Sequence, residues 1–321
     1  SAASDVYKRQ VIQIDFSSIS AFLTGFSTYP QPLRLRLRIF TIFFLYKQTH
    51  QTVRKGELST IMKLVFDKAD LVKSVGIAMK AVSGKTTMPI LECILIDASS
   101  NVIKFTSNDM ELGIETIVTG MILERGIVAL DAKIFSEIVR KLPDNQVTIE
   151  TDENLVTTIT CEKAKFNIPG QSGEDFSYLP ILETSDCVSI SQFTLKELIR
   201  QTIFSIAANE NNKLMTGELF EIKDNTLRVV SLDGHRIAIR RIELKDSYPD
   251  RKVVVPGKTL NEISKILSGE MDDQIDIYFS ENHIMFKFDD TTVVSRLIDG
   301  EYFRIDQICL LYTSPSPRDC S

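Results

Sequence analysis

The sequence predicts an α+β protein built from a tandem repeat, and three observations carry that prediction. Alternating apolar runs of strand type outnumber helical ones, two helix-like segments recur in each half, and an acidic turn at Asp109 returns after 124 residues at Asp233. The second of these turns lies in "SLDGHRIAIRR", Ser231 to Arg241, where an acid, a glycine and one of three histidines precede an alternating run. It reads either as an Asp-His pair for general base chemistry or as a turn entering a strand.

The elements follow in order. The first unit opens with "KADLVKSVGIAMKAVSG" (Lys68 to Gly84), whose Leu71, Val72, Val75, Ala78, Met79 and Val82 keep the spacing of one buried helix face. Strand-like runs fill Glu92 to Val118. A second helix, "DAKIFSEIVRKLP", buries Phe135, Ile138, Val139 and Leu142, and "VTIETDENLVTTIT" closes the unit as a hairpin with Glu153-Asn154 at its tip. The second unit repeats that order. Helix "TLKELIRQTIFSIA" (Thr194 to Ala207) buries Leu195, Leu198 and Ile199, strands fill Gly217 to Leu244, and "PGKTLNEISKILS" buries Leu260, Ile263 and Leu267. A hairpin with Glu281-Asn282 at its tip ends it. The second helices align through Lys133 with Lys258, Glu137 with Glu262 and Leu142 with Leu267. Two domains are expected, at 62–183 and 188–306, joined through "SYLPILETSD".

The ends are of another character. "SAASDVYKRQ" and "LLYTSPSPRD" resemble translated sequencing-adapter sequence, and residues 11–61 hold no sustained helical or strand period. Gly56-Glu57 can be encoded by a ribosome-binding site shortly before Met62, so translation is expected to start there. Segments 1–61 and 308–321 are therefore expected to be non-native. The longest apolar run, "IFTIFFLY" (Ile39 to Tyr46), is too short to span a bilayer.

Composition narrows the function classes. The 43% hydrophobic content suffices for real cores, and five scattered cysteines without C-x-x-C spacing point to free thiols in a reducing cytoplasm. No metal site and no cofactor are expected. Residues 62 to 306 hold 28 Lys and Arg against 39 Asp and Glu, a net charge of −11. A simple basic nucleic-acid binder is excluded unless the positive charge is segregated on one surface.

The helices offer that segregation. Opposite the apolar stripes stand Lys73 and Lys80, Lys133 and Arg140, Lys196 and Arg200, and Lys258 and Lys265. A single basic stripe is ordinarily a solvated face. Four together in an acidic chain fit helices that face one polyanion while the sheets point away. With no aromatic interleaving and no recognition helix, the attraction would be to backbone phosphate, weak and salt-dependent.

The segments "MKLVFDKADLVKSV", "TTMPILECILI", "GELFEI", "SLDGHRIAI", "VVVPGKTLNEISKIL" and "SRLIDGEYFRID" together resemble the bacterial sliding clamp family, the beta subunit of DNA polymerase III. The resemblance covers residues 62 to about 307 and implies the DNA clamp fold. It implies three such domains per chain, a head-to-tail dimer ringing duplex DNA, helices lining the hole and sheets outside. A third domain should begin after "LIDGEYFRIDQ", where the adapter-like tail stands instead. The chain is therefore expected to be a fragment, monomeric or aggregated as given and unable to load. Implied partners are duplex DNA without sequence preference, the polymerase III alpha subunit and other polymerases, a clamp loader and a second copy.

Carried over by position, the resemblance implies a peptide-binding pocket at Met215, Leu232, Gly234, His235, Arg236 and Ile237, with Phe303 near its rim. Leu232 stands where a threonine is common and Phe303 where a proline is common. It implies DNA contacts at Lys85, Asn209 and Lys213, the last replacing a tyrosine seen in some members, and a dimer contact at Phe166 and Ile168, which plain strand packing would equally explain. The implied role is that of a processivity factor without catalysis. The competing reading, a hydrolase using Asp233 and His235, lacks a G-x-S-x-G elbow, an H-x-x-x-H pair and a Cys-His constellation. The chain also lacks a G-x-x-x-x-G-K-[ST] phosphate loop.

Overall fold

A computed structural model describes residues 62–84, 86–180, 182, 187–208 and 212–305. The first unit runs β1 (Met62–Asp67), α1 (Lys68–Ala78), β2 (Cys93–Asp97), β3 (Ile103–Asn108), β4 (Leu112–Val118), β5 (Met121–Glu124) and β6 (Ile127–Asp131). It continues through α2 (Ala132–Lys141), β7 (Gln146–Thr151), β8 (Val156–Cys161) and β9 (Ala164–Gln171). The second runs β10 (Cys187–Ser191), α3 (Gln192–Thr202), β11 (Gly217–Leu232), β12 (Ile237–Pro256), α4 (Gly257–Ile266), β13 (Gln274–Phe279), β14 (His283–Phe288) and β15 (Thr291–Arg296). The expected boundaries 183 and 306, and segments 1–61 and 308–321, lie outside the described residues.

Local chemistry explains where helices begin. The Asp131 carboxylate accepts from the Ile134 N–H at 2.8 Å ahead of α2, and the Ser191 hydroxyl accepts from Thr194 N–H at 3.1 Å ahead of α3. Arg140 and Lys141 fall in the last turn of α2, where a positive charge suits the helix dipole. One expectation is corrected in detail. The first helix is α-helical only to Ala78 and tightens into a 3-10 turn at Met79–Ala81, so Lys80 leaves the α-helical face of Lys73 and is half-buried.

Each unit has its own core. The first packs Leu64, Phe66, Leu71, Val75, Phe135, Val139 and Ile149, with Phe105 edge-on between Phe66 and Phe135 at 6.0 and 6.2 Å. The second packs Leu195, Ile199, Phe220, Val229, Leu260, Ile263 and Phe286 and takes in Leu112 and Ile114 from the first unit. That sharing comes from the sheets, because β15 pairs antiparallel with β4, Val293 opposite Ile114. A thirteen-stranded order results, β10-β13-β14-β15-β4-β3-β2-β6-β9-β8-β7-β1-β5, with β11 and β12 as a separate pair.

Register makes the repeat explicit. Gly217 faces Pro256 as Cys93 faces Asp131, and Phe286 faces Val293 as Ile159 faces Phe166. Strand β15 is thus the second-unit counterpart of β9, and Ile237–Ile242 within β12 is the counterpart of β4. One buried hydrogen bond recurs as well: Ser107 Oγ donates to Ala78 O, and Ser231 Oγ donates to Thr202 O, each at 2.5 Å.

Candidate functional site

The turn that raised the catalytic question is built from its aspartate. Asp233 Oδ1 accepts from the backbone N–H groups of His235 and Arg236, both at 3.1 Å, and Oδ2 accepts from Arg236 Nε at 2.8 Å. The His235 amide, with Arg236, holds this carboxyl below its usual range. Gly234 takes φ +89°, which glycine adopts without strain. The carboxylate is thus engaged by backbone and guanidinium rather than by the imidazole, and His235 is exposed. Among the described residues no group of three metal-ligating side chains occurs.

Beside the turn lies a small apolar face. Leu219, Val230, Leu232, Val254, Tyr302 and Ile305 are buried together, and Met215, Ile237 and Phe303 pack half-buried against them. The residues of the implied pocket therefore meet: Met215 from a 3-10 turn (Lys213–Thr216), Leu232 and Ile237 as the pair that flanks the turn, and Phe303 from the segment after β15. Gly234, His235 and Arg236 stand exposed in that turn. Ile298 N–H to Val254 O, 2.9 Å, ties the segment back to β12.

The basic residues divide into two groups. Lys73, Lys133 and Arg140 are exposed, and together with half-buried Lys80 they have no ion pair among the described residues. In the second unit the four helix cations are committed. Lys196 is half-buried with Nζ on Leu267 O at 2.9 Å, Arg200 forks onto Glu197 at 2.7 and 2.8 Å, and Lys265 meets Glu262 at 2.7 Å. Lys258 pairs with Asp109 of the first unit, an ion pair that bridges the two units. Lys213 is exposed, and Lys85 and Asn209 lie outside the described residues.

Strand β9 has an open edge over most of its length. Along Ala164–Pro169 it pairs with β8 alone, β6 joining only at Gly170 and Gln171. Phe166 is 40% exposed there. Ile168, two positions along the strand and on the sheet face that it shares with Phe166, is 1% exposed and packs into the first core, so it offers no surface for the expected dimer contact and follows the strand-packing alternative.

Two residues were missed by sequence reasoning. Glu218 and Tyr302 are both fully buried beside the apolar face, and the Glu218 carboxyl is pushed up to about 8 by burial. The signal lay in "GELFEI", where Glu218 takes the register position that Ile94 fills in the first unit.

Comparison with known proteins adds three findings. Residues 62–180 match the family described as DNA polymerase III beta subunit, N-terminal domain, and residues 189–303 its central domain. The curated beta sliding clamps of Halalkalibacterium halodurans and Bacillus subtilis are 36% and 38% identical over 252 and 251 residues, 75% of this chain and 66% of each relative. The chain thus spans just under two thirds of the length of these relatives. Among solved structures, a protein described as a DNA polymerase III beta subunit from Eubacterium rectale is 68% identical with a TM-score of 0.76, covering 79% of this chain and 69% of that one. The Bacillus subtilis sliding clamp is 36% identical with a TM-score of 0.74, covering 77% and 67%. A Bartonella birtlesii sliding clamp bound to griselimycin is 28% identical with a TM-score of 0.72, covering 77% and 68%.

Paired helices on antiparallel sheets, repeated in tandem and joined edge to edge, define a protein of the DNA clamp fold. The chain belongs to the DNA polymerase III beta subunit family, the bacterial beta sliding clamps.

Proposed function

We propose that the chain is the first two domains, 62–183 and 188–306, of a sliding clamp. The complete protein would be a processivity factor that encircles duplex DNA and carries no catalytic site of its own. Such a ring tethers a polymerase while making only weak phosphate contacts, because release requires opening the ring. Its partners would be duplex DNA of any sequence, polymerase III alpha and other polymerases, a clamp loader and a second copy, in the cytoplasm.

One observation carries this reading. The two units join heterologously, β15 of one on β4 of the other, and among the described residues the counterparts of those same edges have no further strand partner at either end: Ala164–Pro169 of β9 in the first unit and Ile237–Ile242 in the second. A heterologous contact repeated with constant rotation makes a ring where the rotation closes and an open filament where it does not, and the clamp family's ring is the closed case that the proposal adopts. Phe166 occupies the register position of Val293, which is buried against the neighbouring unit, so ring closure would bury Phe166 in the same way.

The residues facing DNA would be Lys73, Lys80, Lys133 and Arg140, with Arg200, Lys213, Lys258 and Lys265. Lys196 would act chiefly as a helix-to-helix tether. Lys85 and Asn209 remain proposed contacts on the resemblance alone. The peptide pocket would be the face of Met215, Leu232, Gly234, His235, Arg236, Ile237 and Phe303, and griselimycin, bound in the Bartonella birtlesii structure, would serve as its probe if it docks there.

Fluorescence anisotropy with labelled duplexes of two unrelated sequences, titrated against salt, tests the DNA reading. Equal affinities that fall together as salt rises are expected. A sequence preference, or binding that ignores salt, would sink it.

A further inference from the structure

We propose that Glu218 and Tyr302 form a buried couple that fixes the Leu297–Ile305 segment against β11, making Glu218 a positioning residue of the apolar docking face. The docking part rests on the function proposed above; the positioning part stands by itself.

Register shows the anomaly. Glu218 faces Val255 where Ile94 faces Leu130 in the first unit, and both Glu218 and Ile94 are fully buried. An apolar side chain would satisfy that site, so a carboxyl placed there needs a polar partner. It has half of one. Thr202 Oγ1 donates to Oε2 at 3.1 Å, while among the described residues Oε1 has no partner, and the buried Tyr302 hydroxyl is equally without one. The Leu232 amide approaches that hydroxyl without forming a well-aligned bond.

The two groups face each other electrically. Burial, then the charge of Glu218, pushes the Tyr302 phenol up, and burial raises the Glu218 carboxyl against only the Thr202 hydrogen bond. Tyr302 is the titratable group coupled to Glu218; α3 contributes the uncharged Thr202, and β12 the apolar Val255. At neutral pH the carboxyl is therefore an undissociated acid with a proton to donate, and a phenol oxygen accepts one, directly or across one water.

What this couple holds is otherwise lightly held. The segment is bonded by Leu297 N–H to Asn282 O and Ile298 N–H to Val254 O, both 2.9 Å; beyond Ile298 the one backbone bond among the described residues is local, Ile305 N–H to Phe303 O. Tyr302 stacks edge-on against Phe303 with centroids 5.6 Å apart, so its placement sets that of a pocket residue.

Hydrogen–deuterium exchange of the chain, read by mass spectrometry and corrected for intrinsic rates, tests the proposal with Glu218→Ile and Glu218→Gln. The isoleucine variant, carrying the first unit's own residue, should keep slow exchange in α1 to α4 yet exchange about tenfold faster across Leu297–Ile305. The glutamine variant, which retains a donor, should match wild type, and only wild type should loosen there as pH rises through 8. Unchanged exchange in Glu218→Ile, or the same pH response in Glu218→Gln, overturns the couple. Griselimycin titrated against the same samples separates the readings. Weaker binding by Glu218→Ile alone supports positioning of the docking face, and equal binding despite a loosened segment refutes it. No binding by wild type refutes the docking reading and, with it, Glu218's role there, leaving exchange to judge the couple.

Discussion

Asp109 and Asp233, 124 residues apart, hold two turns of one geometry. Each donates its N–H to the carbonyl three residues on (Leu112 and Arg236), and each accepts through Oδ1 from the amides two and three residues on. The residue after each has positive φ, Met110 at 75° and Gly234 at 89°. Only the second oxygen differs in use, taking Lys258 in the first turn and Arg236 in the second. An aspartate that recurs in this way is architecture, and a catalytic pairing with His235 has no share in it.

Asp233→Asn should therefore leave stability nearly unchanged, because an amide oxygen still accepts both turn amides. Asp233→Ala should cost about 1 kcal/mol, the range of a lost side-chain cap. Urea unfolding of both variants checks this.

The buried bonds from Ser107 to Ala78 and from Ser231 to Thr202 predict a matched pair of losses. Ser107→Ala and Ser231→Ala each remove a buried hydrogen bond and should each destabilise by about 1 kcal/mol. Lying in different units, they should add in the double variant, as urea unfolding of the three proteins would show.

Glu218 predicts a pH dependence with a definite sign. Its folded-state value, about 8, stands above the unfolded value near 4.5, so the folded chain holds the proton more tightly. Stability is highest below the unfolded value, falls as pH rises from there through 8, and is level above, by at most about 1.4 kcal/mol per pH unit. Glu218→Gln should remove this slope. Urea titrations at pH 6, 7, 8 and 9 for both proteins measure it.

Phe166→Asp should fold normally, because 40% of the side chain is already in water and its edge is unpaired. In the dimeric ring proposed above for the complete protein, it should shift the dimer toward monomer, read by sedimentation. Ile168→Ala, by contrast, should cost about 2–5 kcal/mol of stability, since it opens a cavity in the first core.

Charge reversal on the free cations predicts a salt effect. Lys133→Glu with Arg140→Glu should weaken duplex binding at low salt and flatten the salt slope by about one unit for each phosphate that is no longer neutralised. The same reversal at Lys196 should mainly destabilise, because its ammonium holds the α4 terminus.

Whatever neighbours along the chain decide was legible before any fold was seen. The apolar faces of all four helices, the hairpin tips and the 124-residue period follow from patterns along the sequence, which helix and strand geometry convert directly into one face or the other. What distant residues do to each other emerged only on folding. The folded chain joined β15 to β4, gave Lys258 of one unit to Asp109 of the other, buried Ile168 while leaving Phe166 on the same strand face partly in water, and enclosed Glu218 with Tyr302, 84 positions later in the numbering. Composition and period are blind to such pairs, because burial and partnership depend on which surfaces the folded chain brings together rather than on the residues beside them.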